Sequence, residues 1–287
     1  MIATLFTLGF AAQVVRIAVP LVLAALGGAV TERSGVVDLA LEAKLLFGAF
    51  TAAAVGHATG SPEVAIVAAM AAGALVALVQ AGCALGLGAD QVIVGVALNV
   101  LAVGGTRFLL QLVYHEGANS PPAPAYGDAV LGNPLVWLAV IAAVAVPVAV
   151  RATRWGLRLR AAGDRPDALV AAGVSPTRVR VAVMLVGGAL AGAGGAQLAL
   201  AVGGFVADMS NGRGYIAIAM VILASWRPGI ATVACLVIAF ADAVAIQLQV
   251  TDSAVPRELA PLFPFVLTIA VLAIAGNRRL APRALGK

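Results

Sequence analysis

Few residues in this chain can do chemistry, and most of them sit inside long apolar runs. Polar and charged side chains at membrane depth are costly, so each is a functional candidate. Glu42 and Lys44 stand two apart, on nearly opposite sides of a helix, and are poor mutual partners. Asp38 precedes Glu42 by four and would share its face. Asp38 is expected to anchor a helix end at the interface; Glu42 either does the same or lines a cavity. Gln91, Asn99 and Arg107 recur at intervals of eight, roughly along one face. That stripe could face a solute path or hydrogen-bond between helices. Asp208, Asn211 and Arg213 flank a short glycine-containing segment, and Asp242, Gln247 and Gln249 share another run. Arg16 is expected to snorkel or pair. Glu42, Lys44, Gln91, Asn99, Arg107, Asp242 and Gln247 form the candidate pathway-lining set.

None of these makes an enzyme. The chain has no H-E-x-x-H, no G-x-S-x-G and no phosphate-binding G-x-x-x-x-G-K-[ST]. No catalytic residue, metal ligand set or cofactor is therefore expected. Cys83 and Cys235 lie in apolar runs and read as small buried side chains, without zinc or disulfide spacing.

The most informative polar segment runs from Gly163 to Gly173. Asp164 can cap a helix, with Pro166 in its first turn and Asp167 three residues after the cap. Gly173 is a natural stop, and Ser175-Pro176 looks like the next start. The spacing predicts a short helix over 165–172, about 12 Å long at 1.5 Å per residue. Such a helix can be a rigid docking peg or an ordinary connector with its arginines on anionic lipid.

The elements that must position these residues follow from composition. Of 287 residues, 62% are hydrophobic and only 11% are charged, against about 25% in soluble domains. A soluble enzyme and a disordered chain are both excluded; an all-α polytopic bundle is expected. Aromatics are only 5%, which speaks against a single-strand nucleic-acid binder. The N-terminal run has no basic n-region or A-x-A site and reads as a retained span. Nine segments are candidate spans: 9–30, 36–56, 63–87, 91–113, 133–150, 181–203, 212–225, 228–250 and 259–276. The seventh is short and is expected to be broken or re-entrant. Gly188/Gly192/Ala196 and Gly187/Ala191/Gly195 form two small-residue stripes suited to close helix contact.

Seven of the 18 Lys and Arg residues fall within 151–180, and the tail adds Arg278, Arg279, Arg283 and Lys287. Both regions should be cytoplasmic, which nine spans allow, with the N-terminus outside. The outside links then hold Glu63, Glu116, Asp128, Asp252 and Glu258, with His57 and His115.

The block 31–50, TERSGVVDLALEAKLLFGAF, closely resembles the early motif of permeases in bacterial ABC importers for simple sugars and nucleosides. More narrowly it resembles the smaller of the two permeases in nucleoside importers. ADQVIVGVALN at 89–99, GLRLRAAG at 156–163 running into 164–197, and GRGYIAIAMVI at 212–222 with Trp226 and Pro228 match as well. The resemblance spans nearly the whole chain, in order. It implies a type II importer permease in the bacterial inner membrane, one transmembrane domain over 1–287 with a cytoplasmic coupling loop at 151–180. It implies two cytoplasmic ATPases, a second and longer permease, and an extracellular binding protein or lipoprotein. It also implies that Gly163, Asp164, Arg165, Pro166, Asp167, Ala168, Leu169 and Gly173 form the helix that seats on the ATPase. The family pattern would have Asn at Asp38 and Gly at Ala43, which bears on substrate preference. Nucleosides are the first expected cargo and simple sugars the second. The rival reading is a self-sufficient ion-coupled carrier or channel, disfavoured because no duplicated half with matching broken helices is evident.

Overall fold

A computed structural model describes residues 8–126, 130–250, 266 and 281–286. The ninth expected segment, 259–276, lies outside them, as do Asp128, Asp252, Glu258, Arg278, Arg279 and Lys287. The described residues form ten helices: α1 Leu8–Arg33, α2 Leu41–Thr59, α3 Pro62–Ala81, α4 Gln91–Tyr114, α5 Pro134–Ala152, α6 Arg154–Asp164, α7 Pro166–Ala171, α8 Pro176–Val202, α9 Arg213–Leu223 and α10 Pro228–Val250. A π-turn, Gly82–Gly86, prolongs α3.

Local chemistry sets many of the boundaries. Pro62, Pro134, Pro166 and Pro176 occupy first-turn positions, where a missing N–H costs nothing. Asp90 caps α4 by accepting from Val92 N (2.9 Å) and Ile93 N (3.0 Å), and Asn133 caps α5 through Leu135 N (2.9 Å).

Among the described residues six helices are long and apolar enough to cross a membrane: α1, α3 with its π-turn, α4, α5, α8 and α10. The chain is an all-α, multi-pass membrane protein. The 19-residue α2 falls outside that set, its apolarity diluted by Glu42, Lys44 and His57. The 11-residue α9 is the short piece expected at 212–225. The second segment starts at 41, not 36: Gly35 takes φ +97° and the chain stays non-helical through Ala40.

The core is built around α8, which packs on α1, α2 and α3. Both small-residue stripes are used. A Cβ at Gly188 would strike the backbone of Gly73, one at Gly192 the backbone of Ala69, and one at Gly195 that of Leu45. Without a hydrophobic drive between helices in lipid, such backbone approach is what holds a bundle together. The outer faces of α4 and α5 expose Val100, Phe108, Ile141 and Val144, an apolar surface suited to lipid.

The links gather at two ends. At one, Arg33, Asp164, Trp226, Arg227 and Arg283 surround a common cavity. At the other, Ala207 N bonds Ala118 O (2.8 Å), Ser120 N bonds Phe205 O (2.8 Å) and Ala123 N bonds Gly203 O (2.8 Å).

Candidate translocation and coupling sites

The non-helical stretch 34–40 enters the bundle with unpaired backbone groups, and side chains from distant helices satisfy them. Gln91 Oε1 accepts from Val37 N (2.8 Å), and Gln80 Nε2 donates to Val37 O (3.2 Å). Asn99 Oδ1 accepts from Ala43 N (2.9 Å), while its Nδ2 donates to Leu39 O (2.8 Å) and to the Tyr215 hydroxyl (3.1 Å). Irregular backbone at membrane depth is tolerated only where protein covers it in this way.

Charge is handled in the same manner. Lys44 Nζ meets Asp38 Oδ1 at 2.5 Å, both side chains fully buried. Asp38 is therefore an interior counter-ion, not the interfacial anchor expected, and it precedes α2 rather than sharing its face with Glu42. A charge this deep persists only when paired. Glu42 does not pair with Lys44. Its carboxylate accepts from the Ser210 hydroxyl (2.5 Å), Gly212 N (2.9 Å) and Gly214 N (2.7 Å). It thereby closes the N-terminus of α9, where free N–H groups and the helix dipole favour an anion. Gly214 must be glycine, because a Cβ there would collide with Glu42 N and Cα. Gly212 takes φ +78°, and the two preceding turns put Asp208 and Asn211 at positive φ. This is how the chain breaks before α9.

The remaining candidates are more open. Arg107 pairs with Asp208 and is about half exposed. Asp242 and Gln247 on α10 are partly exposed, and Asp242 lies within electrostatic reach of Arg213. Arg213 donates to Met209 O (3.1 Å). Arg16, Gln197 and Arg213 line a cavity of about 280 Å³ between α1, α8 and the turn before α9. The eight-residue stripe on α4 thus divides: Gln91 and Asn99 hold backbone, whereas Arg107 lies toward the opposite end. In the link after α4, burial, with Glu63 nearby, pushes the Tyr126 phenol up to about 12.

The loop 151–180 holds two helices, not one. Thr153 caps α6 through Gly156 N (3.1 Å), and Gly156, Leu159, Ala162 and Gly163 form its buried face. That spacing of threes and fours after a threonine was a legible signal. Asp164 belongs to the last turn of α6 and does not cap the next helix. Arg165 fills the cap position of α7 with no side-chain hydrogen bond, which corrects the expected cap. The short helix runs 166–171, against 165–172 expected, and Asp167 lies in its first turn. Gly173 ends it at φ +74°, with Val174 N on Leu169 O (2.9 Å), and Ser175 caps α8 through Arg178 N (3.4 Å).

On α7 only Leu169 is buried; Asp164, Arg165, Asp167 and Ala168 are exposed and Pro166 partly so. Its roots are tied to the bundle. Gly163 packs on the backbone of Arg33 and Gly35. Arg180, on α8, donates to Ser34 O (3.2 Å) and Ala162 O (3.2 Å). Ala284 N donates to Gly163 O (2.8 Å).

Glu32 was not among the candidates, yet it is buried at the end of α1. Its Oε2 accepts from Trp226 Nε1 (2.6 Å) and its Oε1 from Asp38 N (3.4 Å). Its place in the 31–50 block, with Trp226 in another matching block, was the available signal. Among the described residues no group of three or more His, Cys, Asp or Glu could hold a metal.

A family model described as the permease component of branched-chain amino acid transport systems matches residues 10–272. The guanosine ABC transporter permease NupQ of Bacillus subtilis is 34% identical over 94% of this chain and 92% of its own length. The nucleoside ABC transporter permease NupC of Lactococcus lactis is 30% identical over 93% and 92%. A putative glucose ABC transporter permease of Haloferax volcanii is 30% identical over 94% and 92%. No solved structure matches the chain.

Proposed function

The chain belongs to the family of permease components of branched-chain amino acid transport systems, and on that premise we propose that it carries nucleosides inward for an ATP-driven importer. It is a membrane-spanning permease subunit and has no enzymatic activity of its own. The guanosine and nucleoside permeases support the cargo; the glucose permease supports simple sugars as the second reading.

The observation that carries the mechanism is α7, exposed along most of its surface yet bonded at its roots to the end of α1, to α8 and to the tail. Residues 163–173 dock in an ATPase subunit on the cytoplasmic side. When the ATPase pair closes on ATP, α7 moves with it, and the Gly163 and Arg180 contacts pass that motion to α1 and α8. The bundle then switches from outward- to inward-facing, a two-state element biased by a ligand on another chain. The basic end faces the cytoplasm, and the N-terminus lies outside. A second, longer permease completes the path, and a binding protein or lipoprotein delivers the solute. Arg107, Asp242 and Gln247, with Arg16, Gln197 and Arg213, line the solute's route. Glu42, Lys44, Gln91 and Asn99 shape it from behind.

Reconstituted importer should take up radiolabelled guanosine with ATP and no ion gradient, and should stop when the ATPase is omitted. Uptake by the chain alone, driven by a proton or sodium gradient, would refute this reading.

A further inference from the structure

On the end that carries α7, a cavity of about 790 Å³ opens between the ends of α1, α9 and α10, the α6–α7 junction and residues 281–283. Four guanidinium groups line it, those of Arg33, Arg165, Arg227 and Arg283, against the single carboxylate of Asp164. A second cavity of about 250 Å³ shares Arg33 and Arg227 and adds Arg151 and Arg160. Six guanidinium groups around two adjoining cavities, against the one carboxylate of Asp164, leave an excess of positive charge that favours an anion.

Arg33 is held in place, and not all of its donors are used. Arg33 NH1 donates to Trp226 O (3.1 Å), which fixes its guanidinium, while its Nε is buried with no hydrogen-bond partner. A planar guanidinium fork matches phosphate oxygens in a bidentate way. The depth is informative. Arg33 ends one long apolar helix, and Arg227 immediately precedes Pro228, which begins another. The basin therefore lies where spans leave the bilayer, at the level of headgroups. Leu223 and Ile230 supply an apolar wall, and Ile230 is 46% exposed on the membrane-side helix α10. A free anion has no use for that wall, whereas an acyl chain does.

We propose that this basin binds the headgroup phosphate of an anionic phospholipid, with the acyl chain lying along Ile230. The ligand sits under the root of α7, where it neutralises the arginines that flank the coupling loop. The site stands apart from the cargo route and shares only Asp164 and Arg165 with the docking segment, on whose proposed role this placement rests.

The test uses the purified full-length chain in detergent, with bound lipid counted by native mass spectrometry. The probes are phosphatidylglycerol and phosphatidylcholine, with inorganic phosphate as a soluble competitor. The basin variant is Arg227→Gln with Arg283→Gln. The control, Arg154→Gln with Arg158→Gln, removes equal charge from the same end outside the basin. Wild type should retain phosphatidylglycerol over phosphatidylcholine. The basin variant should lose that preference by roughly tenfold and the control should keep it. Arg283 stands on an exposed turn, so Arg283→Gln alone gives a smaller loss in the same direction even where the double variant folds poorly.

An equal loss in both double variants, or in neither, overturns the site. Displacement of the lipid by millimolar inorganic phosphate shows a free-anion site and overturns the lipid assignment. Unchanged lipid retention with weakened ATPase association shows that the basin serves acidic groups of that partner, which also overturns it.

Discussion

The polar groups around α2 and those around α7 are used in opposite ways. Near α2, the charges of Asp38, Glu42 and Lys44 are buried and engaged within the chain. Around α7, Asp164, Arg165 and Asp167 face outward, and the bonds that fix the loop are made by backbone or by Arg180. Inside an apolar bundle a charge is a structural part, because water is absent and only the chain can answer it. At the bundle's end a charge is available for a partner. Membrane depth alone singles out Glu42 and Lys44 for solute contact; in the structure the chain itself engages both groups.

Substitutions can break this contrast. The largest effect is expected from Lys44→Met, which strands Asp38 as an unpaired buried charge and should cost about 3–5 kcal/mol. Thermal unfolding in detergent would read that loss, and Asp38→Asn in the same chain should recover most of it. Glu42→Gln comes next. It removes the anion that accepts from Ser210, Gly212 and Gly214 and should cost about 2 kcal/mol by the same measurement. Ser175→Ala deletes the cap of α8 at the loop's far end and should cost about 1 kcal/mol. The smallest stability change is expected from Asp164→Arg with Asp167→Arg, within about 0.5 kcal/mol, since both are exposed. That pair should nevertheless uncouple ATP hydrolysis from uptake in reconstituted vesicles. Normal uptake would remove α7 from the coupling path, and a large stability loss would erase the contrast itself.

The sequence made the start at Ser175-Pro176 legible, because cap and proline act locally, and the helices within 63–87 and 133–150 legible through their apolar length. The small-residue stripes on α8 were legible for the same reason: backbone approach needs only a missing side chain. The stretch 34–40 was not. Its neighbours read as helix, and what keeps it open comes from Gln80, Gln91 and Asn99, far along the chain. Glu32 was obscured likewise, since its partner Trp226 lies near the other end of the described chain. Asp164 misled for a local reason. It has a cap's composition, but α6 reaches it first, and Arg165 inherits the cap position.

The contacts of residues 284 and 286 carry a consequence for biogenesis. Ala284 bonds Gly163, and Gly286 N bonds Gly35 O at 3.3 Å, so the clasp over the loop needs residues translated long after both. A nascent chain that has already exposed α7 still lacks this clasp. On the docking proposed above, a motor arriving early would meet an unfinished socket, and the order of synthesis would itself delay assembly.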